Sequence, residues 1–396
     1  AEEVRGWVSG HVTPQHHKKR WRPVFELAAN RSVDHTNDVA LHYPSRLERR
    51  RMLRGVQYMA SYDFKAYFDQ FLLPLELQRR CVVRVLVGGV PRLFALTRLP
   101  MGATFAPGVA QAVTWAIVEP LLDIAGVTVT TMLDNVRVTA TSREGFLRAC
   151  GLFRARCATA HVTLGPADDD GLTEDQRVEL GQLNAQGASD HTRHAFIAHC
   201  TGAAVTQAGP PDEDEEGYPF LGERSLIDPG GGVHYRNTRA TLMKMRRAYD
   251  RMLGPAMAAQ QVTRRHAASL IGLLVFLAHT VNLSLAFLLR VLRFGGALAT
   301  QAETSGWDVP VSFLAEGVLQ ELTWVVALLW TNAWALVPEE ITPTLDERSY
   351  DTIVWVDASA SGWGAYVCRP AVARTWRVMA GWQVEMSHSA HAEPLA

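Results

Sequence analysis

Short apolar runs of strand period alternate with longer runs of helical period along the first half of the chain. MASYDFKAYFDQFLLP (59–74) predicts a short strand running into a helix. CVVRVLVGGVPRLFALTRLP (81–100) predicts two apolar strands joined at Gly88-Gly89, a hairpin signal. After Pro100, MGATFAPGVAQAVTWAIVEPLLDIAG carries apolar residues at helical spacing, with Gly126 where a helix would stop. A second hairpin follows. Val127 and Val129 alternate on one arm, Val136 and Val138 on the other, and Asp134 and Asn135 stand at the tip. Thr141 with Glu144 predicts a capping box that opens the helix SREGFLRACGLFRARCATA. Strand–helix, hairpin, helix, hairpin, helix predicts an α+β fold, with helices covering one face of an antiparallel sheet.

The pattern changes after residue 165. Residues 166–217, rich in Asp, Gly and Ala, predict an inserted and partly disordered loop. From 236 to 340 the spacing is mainly helical. LIGLLVFLAHTVNLSLAFLL (270–289) is long enough to span a bilayer. Its His279 and Asn282, with Arg264, Arg265 and Arg290 on both flanks, predict a pair of buried helices instead. TIVWVDASASGWGAYV returns to strand, glycine-containing turn and strand.

A length of 396 residues predicts two to three domains. The five cysteines are scattered without a CxxC pair, which fits a reducing intracellular compartment, nuclear or cytoplasmic. The start at Ala1 fits a fragment or a processed product. Charge adds more. The net charge of −1 hides a net of +5 in residues 1–60, −10 in 167–216 and +7 in 236–266. Two basic blocks flanking an acidic one suggest a surface for a polyanion.

Asp63 closes a predicted strand and Asp134 tips a hairpin. Carboxylates at adjacent strand ends can hold divalent cations for an in-line phosphoryl transfer, although two aspartates alone are weak evidence. Their surroundings strengthen it. SYDFKAYFDQ, LTRLPMGATFAP and MLDNV resemble, in order, the A, B and C motifs of reverse transcriptases. Upstream, KKRWRPVFELAAN resembles that family's basic fingers strand. Downstream, YPFLGERSLID resembles the primer-grip hairpin and TLMKMRRA the start of the thumb. WVDASASGWGAYV with HSAHAEPLA resembles the first half of a retroelement ribonuclease H. The aspartate–asparagine tip and the DASASGWGA strand are most similar to the DIRS/VIPER-type retroelements that use a tyrosine recombinase.

The resemblance implies an RNA-directed DNA polymerase with a right-hand architecture. Fingers and palm would occupy 1–235, with the acidic insertion at 166–217. A helical thumb would follow at 236–300, a connection at 301–348, and the N-terminal part of a ribonuclease H-like module at 349–396. It implies two Mg²⁺ ions, with Mn²⁺ as a substitute, on Asp63, Asp134 and the Phe64 carbonyl. Asn135 stands where the family has a second hairpin Asp, and an amide is a weaker ligand for a hard cation. Arg22 matches the triphosphate-gripping Arg, with Lys19 nearby. Tyr67 and Phe68 are the candidates for the aromatic gate against a ribose 2′-hydroxyl, with Phe68 preferred. Met101 and Gly102 match a Pro-Gln-Gly turn that lacks its Gln here. Phe220, Leu221 and Gly222 match the primer-contacting turn. Asp357 and Glu393 match the first two ribonuclease H carboxylates. The other two would lie beyond Ala396, so that nuclease is expected to be incomplete and the natural chain to continue.

The implied partners are an RNA or DNA template–primer duplex and dNTPs, with no membrane. A competing reading is a domesticated or decayed relative that binds nucleic acid without polymerising, favoured by Asn135, Met101 and the shortened Asp63 motif. His191, His194, His199 and Cys200 are zinc-ligand types, but they lack a partner pair at finger spacing.

Overall fold

The computed structural model describes residues 4–6, 8–15, 20–27, 30, 43–202, 215–253, 262–311, 315–337, 353–358, 362–369 and 374–381, with backbone alone for 11–24 and for 353–381. It divides into two compact units, residues 1–337 and 338–396.

The first unit is built on a three-stranded antiparallel sheet. Its strands are β3 (Tyr58–Asp63), β6 (Val127–Met132) and β7 (Asn135–Ala140), in the order β3-β7-β6. Strand alternation gives the sheet two different faces. Tyr58, Ala60, Tyr62, Val127, Val129, Val136 and Val138 point to one face and form a core. That face is covered by α3 (Ala106–Val118) and α4 (Arg143–Thr159) through Ala110, Ile117, Phe146, Ala149 and Phe153. The layer expected from the hydrophobic pattern is therefore present.

The other face carries Met59, Ser61 and Asp63, paired with Thr139, Arg137 and Asn135. It meets α1 (Arg46–Arg51) and a second sheet of β8 (Tyr218–Phe220), β9 (Glu223–Ile227), β10 (Val233–Asn237) and β11 (Ala335–Leu336). Met59, Leu53, Val56, Tyr218, Val233 and Tyr235 form the core there.

Two further hairpins precede this core in sequence or lie within it. One pairs β1 (Val8–Gln15) with β2 (Arg20–Leu27). The other pairs β4 (Val82–Val87) with β5 (Val90–Ala95) about Gly88 and Gly89, whose φ values of 58° and 79° suit a two-residue hairpin turn. The helices α7 (Arg239–Leu253), α8 (Arg264–Thr280), α9 (Leu289–Ser305) and α10 (Glu316–Trp330) build a third core from Met245, Leu270, Leu274, Leu277, Val291 and Val325. The apolar run 270–289 is thus broken at residues 281–284 and shared by two helical elements. The helical run Leu285–Ser305 is long and apolar enough to cross a membrane by length and composition alone, a test that a core helix also passes.

Four local expectations differ from the structure. Residues 166–202 hold two capped helices, α5 (Glu174–Gln186) and α6 (Asp190–Thr201), where a partly disordered loop was expected. Thr173 and Gln176 form a capping box, and Gly187 ends α5 in the left-handed region. Glu174, Asp175 and Glu179 of α5 are exposed, while Val178, Leu180, Gly181 and Asn184 are buried and Asn184 Nδ2 donates to the Met59 carbonyl at 2.8 Å. The abundance of Asp, Gly and Ala hid that inner face. Residues 203–214 lie outside the described residues.

The second difference is the cap of α4, which is Ser142 and not Thr141. Ser142 accepts from the Gly145 N–H at 3.2 Å, because Thr141 closes the hairpin base by donating to the Gly126 carbonyl. Gly126, third, opens β6 at φ 71° and does not stop α3, which ends at Val118. Last, β3 runs into a single 3₁₀ turn (Tyr67–Gln70) behind a left-handed Ala66, and the only α-helical turn before β4 is the short α2 (Leu75–Gln78) after Pro74.

Among the described residues the second unit shows an antiparallel sheet, β12 (Ile353–Ala358), β13 (Gly362–Arg369) and β14 (Arg374–Gly381), in that order.

Candidate active site

The site begins with a register. Asp63, the last residue of β3, pairs across β7 with Asn135. One step further on, the Phe64 N–H donates to the Asp134 carbonyl at 3.1 Å. The ladder therefore continues past the strand ends into the turn, and both aspartates stand at one end of the sheet. Asp63 is exposed and Asp134 half-buried.

The turn itself is strained. Leu133 and Asp134 connect β6 to β7, and Leu133 adopts φ 54°. A left-handed conformation costs a non-glycine residue about 1–2 kcal/mol. Asn135 Nδ2 donates to Asp134 Oδ1 at 3.1 Å. A carboxylate at residue 135 could not donate that bond, and it would set like charge beside Asp134 and opposite Asp63. The amide thus orients the neighbouring aspartate.

The strand end is braced from below. The Gly165 N–H donates to the Asp63 carbonyl at 2.7 Å, and the Lys65 N–H to the Thr163 carbonyl at 3.0 Å. Gln70 accepts from the Thr163 N–H at 2.7 Å and donates to the Thr163 carbonyl at 2.9 Å. A Cβ at Gly165 would lie 3.3 Å from the Asp63 carbonyl and 3.8 Å from Asp63 Oδ2, so glycine keeps that flank of the carboxylate clear. The Phe64 ring is buried and stacked on Tyr67, with centroids 5.5 Å apart.

The two gate candidates part company here. Tyr67 is buried, its hydroxyl 2.6 Å from Thr114 Oγ1. Burial pushes that hydroxyl well above the usual tyrosine range. The Thr114 hydrogen bond acts against the shift and the Asp134 carboxylate adds to it. Phe68 packs edge-on against Tyr67 and is half-buried.

Met101 and Gly102 meet β2. The Phe25 N–H donates to the Met101 carbonyl at 3.0 Å, and Asn30 Nδ2 donates to the Gly102 carbonyl at 2.8 Å. Gly102 has φ 112°, and a Cβ there would stand 1.9 Å from the Phe25 carbonyl oxygen. The close approach that demands glycine is thus to the strand that carries Arg22. Gly102→Ala should destabilise the chain by about 1–3 kcal/mol in chemical denaturation. It should also free the 20–27 segment to faster hydrogen exchange, whereas unchanged exchange there would count against this contact.

Arg22 pairs with Thr13 in the β1–β2 ladder; its side chain, and Lys19 entirely, lie outside the described residues. Leu221 and Gly222 form the two-residue turn between β8 and β9, at φ 50° and 82°. Phe220 is withdrawn from solvent, with the Arg137 guanidinium 4.4 Å from its ring centroid. Arg137, two residues beyond Asn135, thereby fastens that turn to the central sheet. Burial pulls the Arg137 guanidinium down to about 10, with the Glu223 carboxylate opposing the shift, so it stays charged at neutral pH. Arg137 was not anticipated, although an arginine amid the apolar residues of one strand was a visible signal.

Asp357 lies on β12 opposite Gly364, and Glu393 lies outside the described residues. His191, His194, His199 and Cys200 all fall on α6. Among the described residues no group of three or more His, Cys, Asp or Glu is placed to hold a metal ion.

No protein-family model and no curated protein matches the chain. Solved structures are similar in fold, and two of them are reverse-transcriptase complexes. The foamy viral protease-reverse transcriptase dRH in complex with double-stranded DNA matches at a TM-score of 0.50 and 14% identity, over 96% of this chain and 52% of that one. The foamy viral protease-reverse transcriptase in complex with an RNA/DNA hybrid matches at 0.50 and 13%, over 99% and 42%. The chain thus spans about half the length of these structures. At this identity the likeness shows a reverse-transcriptase-like fold; the narrower affinity to DIRS/VIPER-type elements finds no support in it.

Proposed function

We propose that the chain is an RNA-directed DNA polymerase that adds dNMP to a primer 3′-end under template direction. The observation that carries this reading is the β3–β7 register, which brings Asp63 and Asp134 to one sheet end. Mg²⁺ takes one or two carboxylates and fills its remaining positions with water and substrate phosphate, so this pair fits it without a third protein carboxylate. Two such ions would activate the primer 3′-hydroxyl and offset charge on the leaving pyrophosphate.

The chain's own residues supply position. The 3′-oxygen forms a bond to the α-phosphorus while the bond to the β-phosphate bridge breaks. Asp63 and Asp134 hold that end of the sheet, and Asn135 fixes the rotamer of Asp134. β2, which meets Met101-Gly102 through Phe25, also carries Arg22, the residue this reading assigns to the triphosphate. Phe220, Leu221 and Gly222 are assigned to the primer backbone. In this reading residues 1–235 are fingers and palm, 236–300 the thumb, 301–348 the connection, and 349–396 the start of a ribonuclease H-like module with Asp357 and Glu393. The two similar structures are complexes with double-stranded DNA and an RNA/DNA hybrid, which supports a nucleic-acid duplex as partner.

The test has two arms. Affinity for a primed RNA/DNA hybrid should fall steeply with salt, because the basic blocks would bind phosphates. In the same samples, dNTPs with Mg²⁺ or Mn²⁺ should extend the primer. Hybrid binding without extension under either cation would leave a nucleic-acid-binding relative that does not polymerise. Of the two rings, Phe68 is assigned the gate, because Tyr67 is committed to Thr114. Phe68→Ala should relax discrimination against rNTPs by about tenfold or more, on the order of 1–2 kcal/mol. Tyr67→Phe should leave it unchanged, and the reverse ranking in competition assays would move the gate to Tyr67.

A further inference from the structure

We infer that Gln111, with Thr114, is a positioning residue that sets Asp134 through the backbone of Leu133; the inference rests on the polymerase reading above. Gln111 is fully buried on α3, where Thr114 is the other buried polar residue among apolar ones. Both ends of its amide are engaged with the hairpin. Its Oε1 accepts from the Leu133 N–H at 2.7 Å, and its Nε2 donates to Thr131 Oγ1 at 2.9 Å. One turn along the helix, Thr114 lies 3.3 Å from the Leu133 carbonyl and equally 3.3 Å from the Ala110 carbonyl, either of which can take its proton. The Tyr67 hydroxyl, 2.6 Å away, completes the chain.

Leu133 is thus held at its N–H by Gln111, with Thr114 of the same helix in reach of its C=O. It is also the residue forced to φ 54°, and the next residue is Asp134. A bulky left-handed residue persists only where its surroundings over-determine it. A buried amide is tolerated only with its hydrogen-bonding groups satisfied. Each feature accounts for the other. The clamp fixes the peptide from which Asp134 departs, while Asn135 fixes its side chain from the opposite neighbour. Displacement of a reacting group by an ångström can slow turnover about a hundredfold.

The experiment compares the chain with Gln111→Met, which keeps volume and removes both hydrogen bonds, and with Thr114→Val, which keeps shape and frees the Leu133 carbonyl. Hydrogen exchange over residues 130–136 reports the tip. Electron paramagnetic resonance reports Mn²⁺ affinity with a primed hybrid bound. Single-nucleotide addition is resolved into kcat and KM for dNTP. For Gln111→Met the expected result is faster tip exchange, Mn²⁺ affinity weakened about tenfold, and kcat reduced about 10- to 100-fold. KM and hybrid affinity should stay within about twofold, and Thr114→Val should show the same pattern to a smaller degree. Should Gln111→Met fail to fold, Thr114→Val carries the test alone.

Faster tip exchange with unchanged Mn²⁺ affinity and kcat would overturn the inference and leave the polymerase reading intact. Absence of nucleotide addition by the unsubstituted chain, with Mn²⁺ affinity still dependent on Gln111, would overturn the polymerase reading and sustain the positioning role. Dependence of neither quantity on Gln111 or Thr114 would overturn the clamp.

Discussion

Asp134→Ala should slow nucleotide addition by on the order of 10³-fold or more while leaving hybrid affinity within about twofold. The hairpin survives the change, because Met132 still pairs with Asn135 and the Leu133 N–H still reaches Gln111. What disappears is one of the two carboxylates at the sheet end. Asn135 cannot replace it, being a neutral ligand directed at the side chain that was lost. Asp63→Ala should give the same loss. Rapid-quench extension with a parallel hybrid titration separates the two quantities. Extension reduced by less than about tenfold would mean that Asp134 is not a ligand for the reacting centre.

Glu223→Ala should have the largest effect on stability, about 3–5 kcal/mol, because it strands buried arginines. Glu223 Oε2 lies 2.6 Å from Arg50 Nη2, and both residues are buried. Arg46, Arg49 and Arg137 also feel this carboxylate. Burial lowers the proton affinity of each guanidinium, and Glu223 is the largest opposing influence. Other acceptors share the load. Arg50 donates to the Thr280 carbonyl at 2.8 Å, Arg49 to that of Pro44 at 2.7 Å, and Arg137 to that of Arg49 at 3.1 Å. The rings of Phe276, Tyr235 and Phe220 face the guanidinium carbons of Arg46, Arg50 and Arg137. Through Arg50 and Glu223 this joint ties α1 to β9 and α8. Denaturant unfolding followed in the 1–337 unit measures the loss. A change under about 1 kcal/mol would show that carbonyls and rings suffice without the carboxylate.

The sequence made some of this legible and concealed the rest, for physical reasons. The hairpin tip was readable because strand alternation on both arms places the turn between them. The Gly88-Gly89 turn was readable because consecutive left-handed residues favour glycine. The β3–β7 pairing was not written in periodicity. Only the order of motifs resembling a known family suggested that Asp63 and Asp134 meet. Gln111 was hidden because one polar residue in a helical apolar stripe looks like an imperfection of the stripe. The joint around Glu223 was hidden because Arg50 and Glu223 stand 173 residues apart. A run of arginines at 49–51 also reads as a solvated face, yet Arg49 and Arg50 are buried. The acidic composition of 166–217 masked the inner faces of α5 and α6 in the same way. Asp357, whose strand is described by backbone alone, is legible only by resemblance.

Template direction is the core of the account, and single-nucleotide addition measures it most directly. Hybrids that differ only in the first templating RNA base would be offered each dNTP in turn with Mg²⁺ and, separately, Mn²⁺. The dNMP added should follow the templating base across all four hybrids, and Asp134→Ala should abolish the addition. Addition that ignores the template, or no addition by a chain that still binds the hybrid, would contradict the polymerase reading.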